Sequence, residues 1–565
     1  MRGQKKRTIW AAAALVGLVA LLALAMGLSA CGGGGGSSSS GGGSAASSGQ
    51  PVKGGTLTVS FQGEPTELDP AIAWEVESWS IERLTYQTFL TYASKPGQAG
   101  TQLVPDLATE VPSASNGGIS ANGKVYTFHI KKGVKFAPPI STEVTASDFK
   151  WSFERMMKEP LAPATFFYTG IVGAQDYIDG KANDISGYKV VDPYTVQITL
   201  EKPDGAFLME MSMPFTSVMS KAWCAKVGKQ IKRKPLGTGP YVITAWKPGQ
   251  YITATKNTNW TGTTGQWVDN MKFDFTANPS TQLLRLERGE VDLMGDTIPA
   301  ADYVRTRSDP TWSKYIVSAP QIAWYYTFMN VLEKPFDNPK VRQAVNYAID
   351  TEKIQKLLAG QGQSLNQIYP NGMPGYQAGK TYYTYDPAKA KQLLSEAGFP
   401  NGFKTTFVTH NVDPFPKLAQ AIQADLKAVG ITADIKQMDR ATYWDYISLK
   451  KSHAPIGLSD WYQDFPDPSD WIGPLFTNPI DGGANSSFYQ NPQVTALYKQ
   501  SNSELDPTKR IDMFKQMQDI IMNDAPTAPL YQPTWNGMYG KTTGGVYIHP
   551  VWIFTYQDYW KTDGK

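Results

Sequence analysis

A run of small residues from Gly32 to Gln50 divides this chain into a short N-terminal segment and a long body. The run consists almost wholly of Gly, Ser and Ala, so it cannot bury a core and should behave as a flexible tether. About 515 of the 565 residues follow it. A body of that length is too long for one hydrophobic core, which predicts two or three domains.

The segment before the tether has the pattern of a secretory signal. Basic residues at positions 2 and 5–7 precede an apolar stretch from Trp10 to Leu28. The residues Leu28–Cys31 resemble the lipobox of bacterial lipoproteins. This resemblance implies a signal peptide over 1–30, a lipid on Cys31, a tether over 31–52 and anchoring at the outer face of the cytoplasmic membrane. The alternative is a signal anchor that stays in the membrane.

The charge and the cysteine count limit the partners of the body. Without its first thirty residues, the chain has 49 basic side chains, because four of the 53 precede residue 10, and all 50 acidic ones. A body with a net charge of −1 is not expected to bind nucleic acid. The chain has two cysteines, so acylation of Cys31 would leave Cys224 without a partner for an internal disulfide.

Strand patterns dominate the first half of the body, and helix signals dominate the second. Alternating β-branched and aromatic residues predict strands at 55–61, 124–130, 195–200, 241–246 and 251–255. Asn-Pro and Asp-Pro pairs, with later glycines, predict helices at 339–360, 387–398 and 507–523, and a further helix at 416–430 precedes a predicted strand at 431–436. This order predicts an α/β fold in which helices cover sheets.

One stretch, Asp460–Trp471, combines four acids, four aromatic residues and two prolines. Exposed aromatic area is unfavourable unless something covers it, and buried carboxylates need partners. A stretch that is rich in both aromatic rings and acids is typical of the rim of a ligand cleft, where the rings stack on a ligand and the acids bind a cation. The alternative is an acidic surface turn whose tryptophans fill the core.

Several blocks in a fixed order resemble the bacterial extracellular solute-binding proteins of family 5, the peptide- and nickel-type receptors of ABC importers. The similarity runs from about Gly54 to Pro533, and Ala137–Pro139 departs from the family pattern. The similar blocks are Gly55–Val59, Glu64–Pro70, Tyr126–Phe136, Val144–Phe149, Gly237–Tyr241, Phe336–Asp350, Tyr385–Lys391 and Ala397–Pro400.

The resemblance implies a two-lobed periplasmic-binding-protein fold of type II, similar to cluster C, with hinge strands. Lobe 1 would comprise 53–324 and 531–565, with an extra inserted subdomain at about 87–190, and lobe 2 would comprise 325–530. In relatives that bind peptides, an acid three residues after a tryptophan binds the α-ammonium of the ligand, which implies this role for Asp464. The same resemblance places further ligand contacts at Trp74, Glu75, Val76, Asp460, Trp461 and Tyr462.

The function implied is capture of an extracellular solute, most simply an oligopeptide, by a monomer that passes it to an ABC permease and its ATPase subunits. Alternatives are an oligosaccharide, opine or metal-chelate receptor, or a sensor that has lost its transporter. From another class, S-x-x-K patterns at Ser147 and Ser448 leave a secreted serine acyl-transfer enzyme open. No catalytic residue and no cofactor are predicted. No metal site is predicted either, because the four histidines do not pair at metal-ligand spacing.

Overall fold

The computed structural model describes residues 50–262, 265–477, 479 and 481–565. The predicted signal peptide, Cys31 and most of the tether lie outside the described residues. Within these ranges, no helix combines the length and the apolar character needed to span a bilayer. Cys224 is half-buried and its thiol is free, and burial raises its pKa to about 11.

The strands have the following bounds. In chain order they are β1 Thr56–Ser60, β2 Leu90–Tyr92, β3 Leu103–Pro105, β4 Val125–His129, β5 Tyr188–Asp192, β6 Thr195–Thr199, β7 Tyr241–Lys247, β8 Tyr251–Lys256, β9 Asn270–Asp274, β10 Leu293–Met294, β11 Ile316–Pro320, β12 Ala323–Met329, β13 Gly362–Ser364, β14 Phe403–His410, β15 Ile431–Met438, β16 Ile456–Tyr462, β17 Thr527–Met538, β18 Thr543–Gly544 and β19 Trp560–Lys561.

The α-helices occur in both halves of the described chain, and the longest of them lies in the second half. They are α1 Val76–Thr85, α2 Ala146–Lys158, α3 Ala174–Ile178, α4 Phe207–Glu210, α5 Lys221–Val227, α6 Pro279–Glu287, α7 Ala300–Ser308, α8 Pro339–Ala348, α9 Thr351–Leu357, α10 Pro387–Glu396, α11 Phe415–Ala428, α12 Arg440–Ser448, α13 Ser469–Ile472, α14 Pro492–Ser503 and α15 Pro507–Asp524.

The first lobe is built on two sheets with separate cores. One is five-stranded in the order β10-β1-β9-β8-β7, and its core includes Leu57, Val59 and Phe273. The other is three-stranded in the order β4-β6-β5, and α2 contributes Phe149 and Phe153 to its core. Apolar residues alternate along β1, β4 and β6 because each sheet has one buried face.

The second lobe is built on a mixed sheet in the order β11-β17-β12-β16-β14-β15, with β13 also paired to β17. Its core is contributed by β12, β14 and β16 together with α8, α11 and α15. Strand β17 pairs with β12 along its first part and with β11 along its second. Two antiparallel segments, 316–329 and 527–538, therefore connect the two halves of the molecule.

The predicted division at 324/325 and 530/531 falls within these two connecting segments. The boundaries of the lobes and of the inserted subdomain nevertheless stay predictions. The α/β alternation is present, and the predicted strands correspond to β1, β4, β6, β7, β8 and β15.

The single predicted helix at 339–360 is wrong, because the chain forms two helices there. Helix α8 ends at Ala348, and Ile349 has an extended backbone. The side chain of Asp350 accepts a hydrogen bond from the Lys353 amide and so caps the start of α9. The apolar pattern that runs on to Ile349 did not reveal this break, since a capping aspartate competes with helix continuation.

A buried ion pair fixes the turn after β16. The Arg510 guanidinium of α15 donates two hydrogen bonds to Asp467, of 2.6 and 2.7 Å. Asp467 also accepts hydrogen bonds from the amide and the hydroxyl of Ser469. Asp467 therefore both stabilises this turn and binds it to α15.

Replacing this arginine should be costly. We expect Arg510→Ala to lower the free energy of unfolding by about 3–5 kcal/mol, because it leaves a buried carboxylate without its partner. A matched change at a half-exposed pair, Arg305→Ala opposite Glu287, should cost about 0–1 kcal/mol. Denaturant titration of both variants checks this, and similar losses would contradict it.

Candidate ligand-binding site

A cavity of about 1210 Å³ lies between the cores of the two lobes. We call it the cleft. Its walls come from the start of α1, the loop at 163–170, the end of β16 with the turn that follows, α12, and the loop at 550–553. A cavity of this size, between domains and lined by rings and a few charged groups, is typical of a small-molecule site.

The end of β16 presents an unpaired strand edge to the cleft. Strands β16 and β12 are antiparallel, so alternate residues of β16 direct their backbone N–H and C=O groups toward β12. The Gln463 amide donates to the Ile322 carbonyl, which shows that these are the odd-numbered residues. Strand β14 pairs only with Ile456 and Gly457. The backbone groups of Asp460 and Tyr462 therefore face away from β12, along an edge with which no strand of the described chain pairs. An extended ligand backbone can add to such an edge.

Asp464 contacts the opposite wall of the cleft directly. The indole Nε1 of Trp74 donates a 2.6 Å hydrogen bond to its Oδ1. The Asp464 side chain is 95% buried, since its relative exposure is 5%. Trp74 packs among Phe166, Phe167 and Phe215, and Phe465 belongs to the same core. The Asp464 turn therefore contacts a core of the first lobe.

Two buried acids stand side by side here. Asp470 Oδ2 accepts a 2.9 Å hydrogen bond from the Asp464 amide. Burial raises the pKa of the Asp464 carboxyl to about 7, and burial together with the Asp464 charge raises the pKa of Asp470 well above its ordinary range. The two carboxyls therefore titrate as a coupled pair, which carries less negative charge near neutral pH than two exposed aspartates would. No described cation forms an ion pair with Asp464 within 4 Å.

The other predicted contacts on this wall also line the cleft. Asp460 is half-buried, and burial raises its pKa to about 6, an effect that Arg440 opposes. The ring of Trp461 is half-buried against the core of the second lobe. The Tyr462 hydroxyl lies 3.3 Å from that of Tyr325. Trp471, in contrast, is wholly buried in that core, as the alternative interpretation of this stretch expects.

Trp74, Glu75 and Val76 line the cleft from the first lobe, although not as one extended segment. The backbone of Glu75 is extended, but Val76 is the first residue of α1. The Glu75 carboxylate already accepts hydrogen bonds from the amide and hydroxyl of Thr66 and from Ser78. The Glu75 carbonyl accepts from the Trp79 amide, so the Glu75 amide and the exposed side chain of Val76 remain for contact with a ligand.

Several lining residues were missed by sequence reasoning. Phe166 and Phe167 extend the aromatic wall beside Trp74, and Arg83 stacks on Trp552 with its guanidinium carbon 4.5 Å from the ring centre. These residues come from segments far apart in the chain, so no local pattern marks them. The only hint was the high aromatic content of 12%.

The ionisable side chains that line the cleft are mainly acidic. The lining includes two arginines and seven acids, namely Glu75, Asp204, Glu210, Asp445, Asp460, Asp464 and Asp481. This balance favours a ligand with positive charge. Among the described residues, no cluster of His, Cys, Asp and Glu is arranged to hold a metal ion.

The residues of the S-x-x-K patterns have other partners. The Lys150 ammonium lies 3.0 Å from Asp184 and 3.5 Å from Glu154, and the Ser448 hydroxyl donates to the Asp445 carbonyl. A lysine held between two carboxylates is a poor base for activating Ser147.

Comparisons with known proteins agree with this geometry. The family model described as bacterial extracellular solute-binding proteins, family 5 middle, matches residues 102–483. The chain is 30% identical over 501 residues to the glutathione-binding protein GsiB of Escherichia coli K12, covering 87% of this chain and 92% of that protein. It is 30% identical over 485 residues to heme-binding protein A of Haemophilus influenzae, covering 82% and 85%.

A solved structure has the same fold. The periplasmic binding protein DppA of Helicobacter pylori, in complex with the peptide STSA, superposes with a TM-score of 0.77 at 28% identity and covers 90% of this chain and 99% of that one. The fold that this chain shares with DppA is the periplasmic-binding-protein fold predicted from the sequence. The matched family model spans most of the body and the relatives match nearly all of it, so this chain belongs to the bacterial extracellular solute-binding proteins of family 5.

Proposed function

We propose that this protein captures short peptides with a free α-ammonium and delivers them to an ABC permease driven by ATPase subunits. The buried Asp464 carboxyl supports this most directly, because it lines the cleft and no cation of the described chain forms an ion pair with it. A ligand ammonium would supply that charge, and the open edge of β16 would pair with the peptide backbone. Backbone pairing does not depend on side chains, so it suits a receptor for many peptides.

The mechanism that we propose is a shift from open to closed lobes. A peptide that bonds to Asp464 and β16 on one side and to Trp74 and Glu75 on the other binds the closed arrangement more tightly than the open one. The connecting segments 316–329 and 527–538 would absorb the change in angle as a hinge. The permease would then recognise the closed monomer. The protein itself would catalyse no reaction.

The role of Asp464 can be tested by calorimetry with a tripeptide and its N-acetylated form. We expect acetylation to weaken binding by about 10–100-fold, since it removes a charge-assisted hydrogen bond of about 1.5–3 kcal/mol. Asp464→Asn should cause a similar loss for the free peptide and little further loss for the acetylated one. Asp425→Asn, a buried acid outside the cleft, serves as the control. Equal affinity for both peptides would exclude the proposed role and favour a sugar, opine or chelate ligand.

Asp464→Asn should stabilise the ligand-free protein at pH 8, raising its free energy of unfolding by about 1–3 kcal/mol. Burial raises the pKa of Asp464 to about 7, whereas an aspartate in an unfolded chain titrates at about 3.9. The folded state therefore keeps a proton that the unfolded state loses, and this residue's contribution to stability falls as pH rises from about 4 to about 7.

The measurement is the melting temperature of the wild type and the variant between pH 4 and pH 8. The difference between them should grow with pH. Asp425→Asn should instead lower stability, because Asp425 accepts hydrogen bonds from the Lys353 ammonium and the Asp350 amide. A difference between the wild type and Asp464→Asn that is constant with pH would contradict the assigned ionisation.

We also propose that a lipid on Cys31 anchors the protein outside the cytoplasmic membrane. A Cys31→Ser variant should then appear in the soluble fraction or retain its signal segment, while the wild type stays with the membrane and can be labelled with a fatty acid. Fractionation and metabolic labelling measure this. Membrane association of the variant after removal of residues 1–30 would contradict it.

A further inference from the structure

The inner end of the cleft holds a second group of acceptors, separate from the Asp464–Asp470 pair. It is formed by Asp204 and Glu210 of the first lobe and by Tyr498 and Asn502 of the second, and we call it the inner acidic pocket. The Gly205 amide donates to the Asn502 carbonyl over 3.0 Å, which joins the two sides directly. The pocket therefore exists as a unit only when the lobes are in contact.

Glu210 is the acid of this pocket that has a buried oxygen without a donor, and Asn502 Oδ1 is a second buried acceptor without one among the described residues. The Glu210 side chain is 94% buried, with a relative exposure of 6%, yet it lines the cleft. Its Oε2 has no hydrogen-bond donor within the described part of the chain. Burial raises the pKa of this carboxyl well above its ordinary range, and the charges of Asp204 and Asp467 raise it further. A buried carboxyl without a donor is costly unless something else satisfies it.

The nearby cation of the protein is already engaged. Both terminal nitrogens of Arg510 donate to Asp467, and its Nε donates to the Ser501 carbonyl. Asp204 is partly satisfied, because its Oδ1 accepts from the Ala206 amide over 2.8 Å. The arrangement thus leaves an acceptor at Glu210 that a ligand could fill.

Glu210 and Asp464 are close enough to share a neighbour. The Tyr168 hydroxyl donates to the Glu210 backbone carbonyl over 2.9 Å. Burial raises the pKa of Tyr168, and the negative charges of Glu210 and Asp464 raise it further. Trp74, which donates to Asp464, contacts Phe167, and the ring of Phe167 contacts that of Tyr168. Asp464 and the inner acidic pocket are therefore joined by one run of contacts and line the same cleft.

We propose that the inner acidic pocket binds a cationic side chain, a primary ammonium or a guanidinium, on the first residue of the captured peptide. This inference rests on the proposed function, because it takes the α-ammonium at Asp464 as its reference point. The receptor then prefers peptides that begin with lysine or arginine over peptides that begin with an apolar residue of the same length. A bound cation favours the ionised form of Glu210, so loading the pocket releases a proton.

The test compares tripeptides X-Ala-Ala in which X is lysine, arginine or norleucine, which has the unbranched chain of lysine without its ammonium. Calorimetry of the wild-type protein should give at least about tenfold tighter binding for lysine and arginine than for norleucine, since each adds a charge-assisted hydrogen bond. Glu210→Gln should reduce this ratio to near one. Glu82→Gln alters an equally buried glutamate outside the cleft, so it should keep the full ratio.

The outcomes separate the two proposals. If norleucine and lysine peptides bind the wild type equally well, the inner acidic pocket has no such role, although the peptide function stands. If none of the three peptides binds, both proposals fail. A lysine preference that persists in Glu210→Gln would also overturn the assignment to this pocket.

Discussion

A buried carboxyl that forms no ion pair with any cation of the described residues is the constraint on which the rest of this structure depends. Asp464 lies where the turn after β16 meets the first lobe, and Trp74 donates to it across that contact. Ionising such a group inside the protein is unfavourable, as the pKa of about 7 indicates. Under the proposed function a ligand ammonium would remove this cost, so ligand binding and lobe contact would become favourable together.

The proposed capture of a ligand also requires that the lobes can move while the residues of the site stay ordered. Strand β17 pairs with β12 along its first part and with β11 along its second. Its backbone hydrogen bonds therefore continue from one lobe to the other. The turn after β16 is held to α15 by the Asp467–Arg510 pair. The turn that contains Asp464 is therefore fixed to a helix of the second lobe, and the proposed hinge motion would fall to the connecting segments.

Local patterns in the sequence were sufficient for much of the fold and part of the site. Alternation identified β1, β4 and β6, and the proline after a capping residue identified the starts of α8, α10 and α15. Asp464 was separated from its neighbouring acids by a family motif. Sequence patterns did not identify Phe166, Arg440 or Glu210, because each reaches the cleft from a distant segment and acquires its role only through tertiary contact. The break between α8 and α9 was missed for a different reason, since the capping role of Asp350 competed with a continuous apolar face.

The proposed function depends on the cleft binding a peptide by its α-ammonium. Native mass spectrometry of the protein purified from its own host, without added ligand, tests this most directly. We expect bound species that are released when the lobes are unfolded and whose fragmentation identifies them as peptides with free N-termini. A bound sugar, opine, haem or metal chelate in place of peptides would contradict it.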